Sequence, residues 1–195
     1  LRLGIELGLT HIDTAEIYGD GGAERVVGKA VAGRRHEVFI APKVSPRNAS
    51  YAGTLRACEE SLERLKTDYV DLYLLHWWSD HHPVGETMKA LEELVSRGLT
   101  RFIGVSNFDV AQLREAQAAL TRERLASNQV LYHLRDRGIE KELLPYCERH
   151  GIAVVGYTPL ARGGFLRGGV ADIARKYGRT PRQVALNFLT RRPSL

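Results

Sequence analysis

The chain has 195 residues, of which 44% are hydrophobic and 26% are charged. This composition is typical of a folded globular domain and excludes a disordered or fibrous chain. The net charge of +5 comes from 28 basic residues interleaved with 23 acidic ones, a pattern less clustered than a nucleic-acid-binding surface requires. No apolar run approaches the roughly 18 residues of a membrane helix, and no signal peptide precedes the first segment. We therefore predict a cytoplasmic protein that binds neither membranes nor nucleic acid.

Six runs of apolar, β-branched or aromatic residues predict buried β-strands. In chain order they are THIDTA, EVFIAPKV, YVDLYLLHW, TRFIGVSN, SNQVLYH and IAVVGYTPL. Helical patterns lie between them, with apolar residues spaced three or four apart or nearly so; two examples are Leu55, Cys58, Leu62, Leu65 and Met88, Leu91, Leu94, Val95. Strands that are apolar on both faces and alternate with helices are typical of parallel sheets covered by helices. The predicted class is α/β, either a doubly wound sheet or a (β/α) barrel.

Helix ends carry recognisable capping residues. Asp109 and Thr180 are each followed three positions on by a glutamine, which predicts helix N-termini there. Gly98 and Gly151 predict helix C-termini, since glycine accepts the left-handed conformation that often ends a helix.

Polar residues lie at or near the C-terminal end of every predicted strand. They are Asp13, Lys43, His76, Ser106, Gln129 and Tyr157. In a barrel all such ends converge on one mouth, whereas a doubly wound sheet gathers ligands mainly at one switch point. Six contributing strands therefore favour a (β/α)8 TIM barrel with about six of its eight strands present. We expect a single, incomplete domain over residues 1–195, truncated at both ends, because the chain begins in a helical pattern and ends at RRPSL, where an eighth strand would begin.

Four residues, Asp13, Tyr18, Lys43 and His76, are suited to polarising and protonating a carbonyl group. A free tyrosine has a pKa of about 10 and is a reluctant acid, but a lysine beside it would favour the ionised phenol and make it a better proton donor. Asp13 would hold that lysine through an ion pair, and His76 could orient the carbonyl oxygen. Taken singly, each residue also has an ordinary structural explanation, as a loop cap, a half-buried aromatic, a solvated strand end or a core histidine.

The motif HIDTAEIYG, followed in order by APKV, LYLLHW, GVSNF and NQVLYH, resembles the aldo-keto reductases over essentially the whole chain. The resemblance implies that Tyr18 is the general acid, that Lys43 lowers its pKa, that Asp13 pairs with the lysine, and that His76 orients the substrate. It also implies a monomeric enzyme of bacterial type that reduces aldehydes or ketones with NADPH. Short reactive carbonyls such as 2-oxoaldehydes are the expected substrates.

The same resemblance assigns a cofactor pocket and a substrate contact. Ser106, Asn107 and Gln129 would bind the nicotinamide carboxamide, and Tyr157 would stack on its ring. The pyrophosphate loop would contain Thr158, Leu160 and Gly163. Trp77 would line the substrate pocket. The family's contacts with the 2′-phosphate lie in and after the eighth strand, and we expect this sequence to end before that strand. The preference for NADPH over NADH is therefore inherited from the family alone.

Three other functions compete with this one. The chain could be an inactive aldo-keto-reductase-like fragment or a regulatory binding subunit. A barrel isomerase or aldolase could use Lys43 as a Schiff-base amine, but an aspartate partner would oppose that role. The segment ARGGFLRGG resembles RNA-binding RGG repeats, yet it has too few units and is better explained as a mobile loop after the last predicted strand.

No metal or disulfide chemistry is predicted. The spacing of His76, His81 and His82 matches no common ligand pattern. Cys58 and Cys147 lie within helical patterns without partner spacing, so we expect them to be buried, unpaired and in a reducing compartment.

Overall fold

The computed structural model describes residues 1–164, 168–192 and 195. The chain divides into two compact units, Leu1–Leu125 and Ala126–Leu195, which we call the N-terminal unit and the C-terminal unit. The single domain expected over residues 1–195 stays a prediction.

The N-terminal unit alternates short parallel strands with helices. Its strands are β1 (His11–Asp13), β2 (Phe39–Ala41), β3 (Lys43–Val44), β4 (Val70–Leu75) and β5 (Thr100–Ser106). Its helices are α1 (Arg2–Glu6), α2 (Gly22–Val31), α3 (Tyr51–Leu65), α4 (Val84–Ser96) and α5 (Val110–Ala119). β1 pairs with β2, β3 with β4 and β4 with β5, and each pair is parallel. The predicted alternation of parallel strands and helices is therefore confirmed here.

The predicted strand EVFIAPKV is divided at Pro42. Proline has no backbone N–H to donate to a neighbouring strand, and β2 ends just before it while β3 begins just after it. β2 pairs with β1 and β3 with β4, so the segment changes its partner at this point. The prediction of a single continuous strand is wrong, because hydrophobicity does not reveal the N–H that Pro42 lacks.

Core packing follows the sequence pattern. All six residues of β4 are buried, as expected for a strand covered on both faces. The helical patterns in α3 and α4 also bury their apolar residues; among them are Cys58, Leu62, Leu65, Met88, Leu91 and Leu94. A reciprocal pair of hydrogen bonds caps α5, since Asp109 and Gln112 each accept the other's backbone N–H. Gly98 follows α4 with φ of +73°, so both predicted helix ends are confirmed.

β6 (Leu125–Leu131) begins at the boundary between the units, and the elements that follow it belong to the C-terminal unit. They are α6 (Leu143–His150), β7 (Ala153–Tyr157), α7 (Gly169–Lys176) and α8 (Pro181–Leu189). β6 and β7 are parallel, with Ser127 opposite Ala153. Thr180 and Gln183 form the predicted cap of α8, and Gly151 ends α6 with φ of +68°. Residues 165–167 of the segment ARGGFLRGG and residues 193–194 of RRPSL lie outside the described residues.

An ion-pair cluster links the turn before α6 to the end of α8. Glu140 accepts hydrogen bonds from the Tyr132 hydroxyl at 2.6 Å and from Arg137 at 2.7 and 3.0 Å. Arg192 contributes a further contact at 3.0 Å. The Arg137 hydrogen bond is the main reason why the pKa of Glu140 falls to about 2.

Candidate active site

Four predicted side chains come together at the C-terminal ends of strands in the N-terminal unit. Asp13 ends β1, and His76 directly follows β4. Lys43 lies two residues after the end of β2, in the two-residue strand β3. Tyr18 lies in the loop after β1. β1 runs parallel to β2, β2 leads through Pro42 into β3, and β3 runs parallel to β4. The ends of these parallel strands therefore bring together residues that are far apart in sequence.

Lys43 is the centre of the cluster. Its Nζ donates to Asp13 Oδ1 at 2.6 Å and to the backbone carbonyl of Thr14 at 2.8 Å. The same nitrogen lies 5.2 Å from the centroid of the Tyr18 ring. Lys43 is fully buried, and burial lowers its pKa whereas the charge of Asp13 acts in the opposite direction. The ammonium is thus fixed beside the phenol, and its pairing disfavours the Schiff-base alternative, which needs an unpaired amine.

His76 also lies against the phenol of Tyr18. The rings of Tyr18 and His76 meet edge to face with centroids 5.7 Å apart, and His76 is 3% exposed. Burial, and then the charge of Lys43, lowers the pKa of His76 to about 4. The imidazole is therefore neutral at pH 7 and carries one N–H donor. Its Nδ1 is buried and has no hydrogen-bond partner among the described residues.

Trp77 stacks on His76, with ring centroids 3.9 Å apart and planes 16° apart. Its side chain is 43% exposed. Trp77 therefore lies beside the histidine predicted to orient the substrate, and its assignment to the substrate pocket stays a prediction.

Asn107 connects the end of β5 to His76. Its Nδ2 donates to the His76 backbone carbonyl at 3.1 Å and to Ser106 Oγ at 3.0 Å. The backbone of Asn107 is left-handed, with φ of +62°, a conformation that asparagine tolerates better than most residues. Ser106 is buried. These two residues place an amide and a hydroxyl group next to the candidate catalytic histidine. Their role in binding a carboxamide stays a prediction.

The remaining predicted cofactor residues belong to the C-terminal unit. Gln129 is buried in β6 opposite Val155 of β7, and Tyr157 ends β7. Burial, and then the charge of Asp136, raises the pKa of Tyr157, so its ring stays neutral at pH 7. The loop after β7 contains the other three, Thr158, Leu160 and Gly163, with φ of +56° at Thr158 and +85° at Gly163. Their role in cofactor binding stays a prediction.

Two site residues were missed by the sequence reasoning. Thr14 holds Lys43 through its backbone carbonyl, and no side-chain pattern can reveal such a contact. Glu16 lies two residues before Tyr18, and its carboxylate accepts hydrogen bonds from Ser45 and Asn48. Its place inside the motif DTAEIYG was the available signal, but a loop carboxylate usually faces solvent.

Other chemistries find less support in the described part of the chain. There, no group of three or more His, Cys, Asp or Glu side chains is arranged to hold a metal ion. Cys58 and Cys147 are buried and free, as expected. Burial raises the pKa of Cys58 to about 12 and that of Cys147 to about 11, so both are unreactive thiols. Among the helices within residues 1–164 and 168–192, none is long and apolar enough to cross a membrane.

Residues 1–176 match the Aldo/keto reductase family. The chain belongs to this family, which makes it an oxidoreductase that reduces carbonyl compounds with NADPH on a TIM-barrel fold.

Individual relatives are similar over almost the whole chain. Methylglyoxal reductase YeaE of Escherichia coli (strain K12) is 50% identical over 195 residues, which cover 97% of this chain and 68% of that protein. Glyoxal reductase of Bacillus subtilis (strain 168) is 38% identical over 189 residues, covering 96% of this chain and 67% of that protein. The crystal structure of an aldo-keto reductase from Klebsiella pneumoniae in complex with NADPH is 48% identical and has a TM-score of 0.92, over 100% of this chain and 70% of that one.

Proposed function

We propose that this protein reduces short 2-oxoaldehydes to hydroxy compounds, with Tyr18 as the proton donor. The observation that carries the proposal is the position of the Lys43 ammonium, held by Asp13 and by the Thr14 carbonyl at 5.2 Å from the Tyr18 ring. A buried positive charge next to a phenol favours loss of the phenolic proton. The relatives named methylglyoxal reductase and glyoxal reductase support small carbonyl substrates of this kind.

In the proposed reaction, the chain's own residues bind and protonate the carbonyl oxygen. When bound, NADPH supplies the hydride that the carbonyl carbon accepts. The Tyr18 hydroxyl gives its proton to the oxygen, so the C=O bond becomes an alcohol and the phenolate is left beside Lys43. The neutral His76 ring donates a hydrogen bond to the same oxygen and orients it.

The proposed cofactor contacts fit the groups that are present. Ser106, Asn107 and Gln129 offer hydroxyl and amide groups of fixed direction for a carboxamide. Tyr157 offers a neutral aromatic face for a nicotinamide ring. The pyrophosphate contacts are proposed for the loop with Thr158, Leu160 and Gly163. The proposal also takes the protein to be a cytoplasmic monomer.

Replacement of Tyr18 by Phe tests the proposal. We expect NADPH oxidation with methylglyoxal to fall by about 10²-fold or more, since a positioned general acid contributes that much. Quenching of protein fluorescence by NADPH should persist, because the ring remains. Tyr51→Phe is the matched control, as this phenol is exposed to a similar degree, 41% against 38% for Tyr18, and it should leave turnover unchanged.

Turnover in Tyr18→Phe close to that of the unmodified chain would exclude Tyr18 as the proton donor. An unmodified chain that binds NADPH but reduces no carbonyl compound would favour the alternative of an inactive or regulatory relative. All four positions proposed for catalysis carry suitable side chains, and Lys43 pairs with Asp13 near the Tyr18 ring, which argues against that alternative.

A further inference from the structure

Glu16 joins the Tyr18 loop to a neighbouring turn. Its Oε1 accepts the backbone N–H of Ser45 at 2.5 Å, and both carboxylate oxygens accept from Asn48 Nδ2 at 3.1 Å. The backbone N–H of Glu16 also donates to the Lys43 carbonyl at 3.3 Å. Hydrogen bonds to an ionised carboxylate are stronger than those between neutral groups. A single side chain thus connects the loop after β1 to the segment after β3.

The turn that receives Glu16 is itself fixed to two other elements. Over residues 45–48, the Asn48 N–H donates to the Ser45 carbonyl at 2.9 Å. The hydroxyl of the buried Thr54, in α3, donates to the Asn48 carbonyl at 3.2 Å. Ser79, in the loop after β4, donates to the Pro46 carbonyl at 3.1 Å. The turn therefore forms a stable platform for the carboxylate.

The segment on the other side of Glu16 is much less enclosed. Residues 17–20 are all exposed, and left-handed backbone follows at Gly19, Asp20 and Gly21. Tyr18 is two residues from Glu16, or at most about 7.6 Å between Cα atoms. Within the loop, the Tyr18 N–H donates to the Ala15 carbonyl at 3.0 Å. The anchored carboxylate therefore links the Tyr18 loop to the platform at a point two residues before Tyr18.

We propose that Glu16 is a positioning residue for Tyr18, whose carboxylate fixes the phenol loop against the turn at residues 45–48. Glu16 acts through the loop and does not touch the reacting atoms. The inference rests on the proposed function, in which the Tyr18 hydroxyl must lie within hydrogen-bond reach of a carbonyl oxygen. Displacement of a reacting group by about 1 Å can lower a rate by about 10²-fold.

Kinetic comparison of Glu16→Ala with Glu16→Gln tests this role. With methylglyoxal as substrate, Glu16→Ala should lower kcat by about tenfold or more, while KM and NADPH affinity change by less than about twofold. Glu16→Gln should retain kcat within about threefold, because its amide oxygen can still accept the Ser45 N–H. Glu63→Ala, which removes an exposed carboxylate from α3, is the control and should leave kcat unchanged.

Asn48→Ala provides a second test from the other side of the contact. It should lower kcat, as Glu16→Ala does. The double variant should be no slower than Glu16→Ala alone, since both changes break the same Glu16–Asn48 interaction. Fully additive losses would contradict the proposed link, as would a Glu16→Ala variant with unchanged kcat.

A spectroscopic readout tests the inference without turnover. In protein labelled with 3-fluorotyrosine, the ¹⁹F signal of Tyr18 can be assigned through its loss in Tyr18→Phe. This signal should shift in Glu16→Ala and keep its position in Glu63→Ala; an unshifted signal would overturn the role of Glu16. Failure of the proposed function can be told apart from failure of the Glu16 role. It would appear as unchanged turnover in Tyr18→Phe, whatever the result for the Glu16 variants.

Discussion

The two units differ in net charge as well as in the predicted site residues that they contain. The N-terminal unit has 16 Lys and Arg residues against 18 Asp and Glu, whereas the C-terminal unit has 12 against 5. The whole positive excess of the chain therefore lies in the unit with most of the predicted cofactor residues. The near-neutral unit holds the four residues proposed for proton transfer. Net positive charge attracts anionic ligands over a distance, while proton transfer depends on a few charges fixed at close range.

Two carboxylates with low pKa values, one in each unit, are stabilised by different groups. Burial alone would raise the pKa of Glu92 in α4, but backbone N–H groups of Arg122, Glu123 and Thr121, with the Thr121 hydroxyl, lower it to about 2. Glu140 in the C-terminal unit reaches a similar pKa through arginine side chains. Ion pairs are screened by salt more than backbone hydrogen bonds are, so the pKa of Glu140 should respond to ionic strength more than that of Glu92.

The largest expected effect comes from Lys43→Met, in the unit proposed to carry the proton chemistry. We expect kcat for methylglyoxal to fall by about 10²-fold or more, because the phenol loses the charge that favours release of its proton. NADPH affinity, measured by fluorescence quenching, should change by less than about threefold. Lys29→Met, at an exposed site of α2, should leave both values unchanged. If cofactor affinity fell as steeply as kcat, it would be wrong to assign proton transfer to the N-terminal unit and most of the cofactor binding to the C-terminal unit.

A smaller effect is expected in the C-terminal unit from Tyr157→Ala. Loss of a stacked aromatic ring should raise the Kd for NADPH by about tenfold, with a smaller change in kcat at saturating cofactor. Tyr177→Ala removes a tyrosine that is 65% exposed in the same unit and should not alter the Kd. Equal Kd values for Tyr157→Ala and the unmodified chain would remove Tyr157 from the cofactor site.

The smallest expected effect is that of His76 on the pH dependence of stability and of kcat/KM. His76 has a pKa of about 4 in the folded chain, against an ordinary value of 6.5. Between these values the unfolded chain binds a proton that folded His76 does not, so His76 lowers stability as the pH falls from 6.5 towards 4, and has no such effect above 6.5. We expect kcat/KM between pH 8 and about 5 to show no inflection from His76. An acid limb near pH 6.5 would indicate that His76 carries charge in the working enzyme.

Much of this arrangement could be predicted from the sequence because the strands are strongly apolar and the polar residues at their ends stand out. Asp13, Lys43 and His76 mark three such ends, and the family motif connected them with Tyr18. The break at Pro42 could not be predicted from hydrophobicity, since it depends on a missing N–H. The contacts of Glu16 depend on where a neighbouring turn lies in space. Thr14 contributes a backbone atom, which is the same for every residue type.

The Thr14 contact has a consequence for how the site tolerates sequence change. Side-chain partners such as Asp13 can be removed by one substitution, but the Thr14 carbonyl belongs to the chain itself and survives almost any replacement at position 14. Of the two oxygens that accept from Lys43 Nζ, Asp13 Oδ1 can be removed by substitution and the Thr14 carbonyl cannot. In a variant such as Asp13→Asn, the Thr14 carbonyl should still orient Lys43. Substitutions in this loop can therefore change how readily Tyr18 releases its proton, while the backbone keeps Lys43 in position.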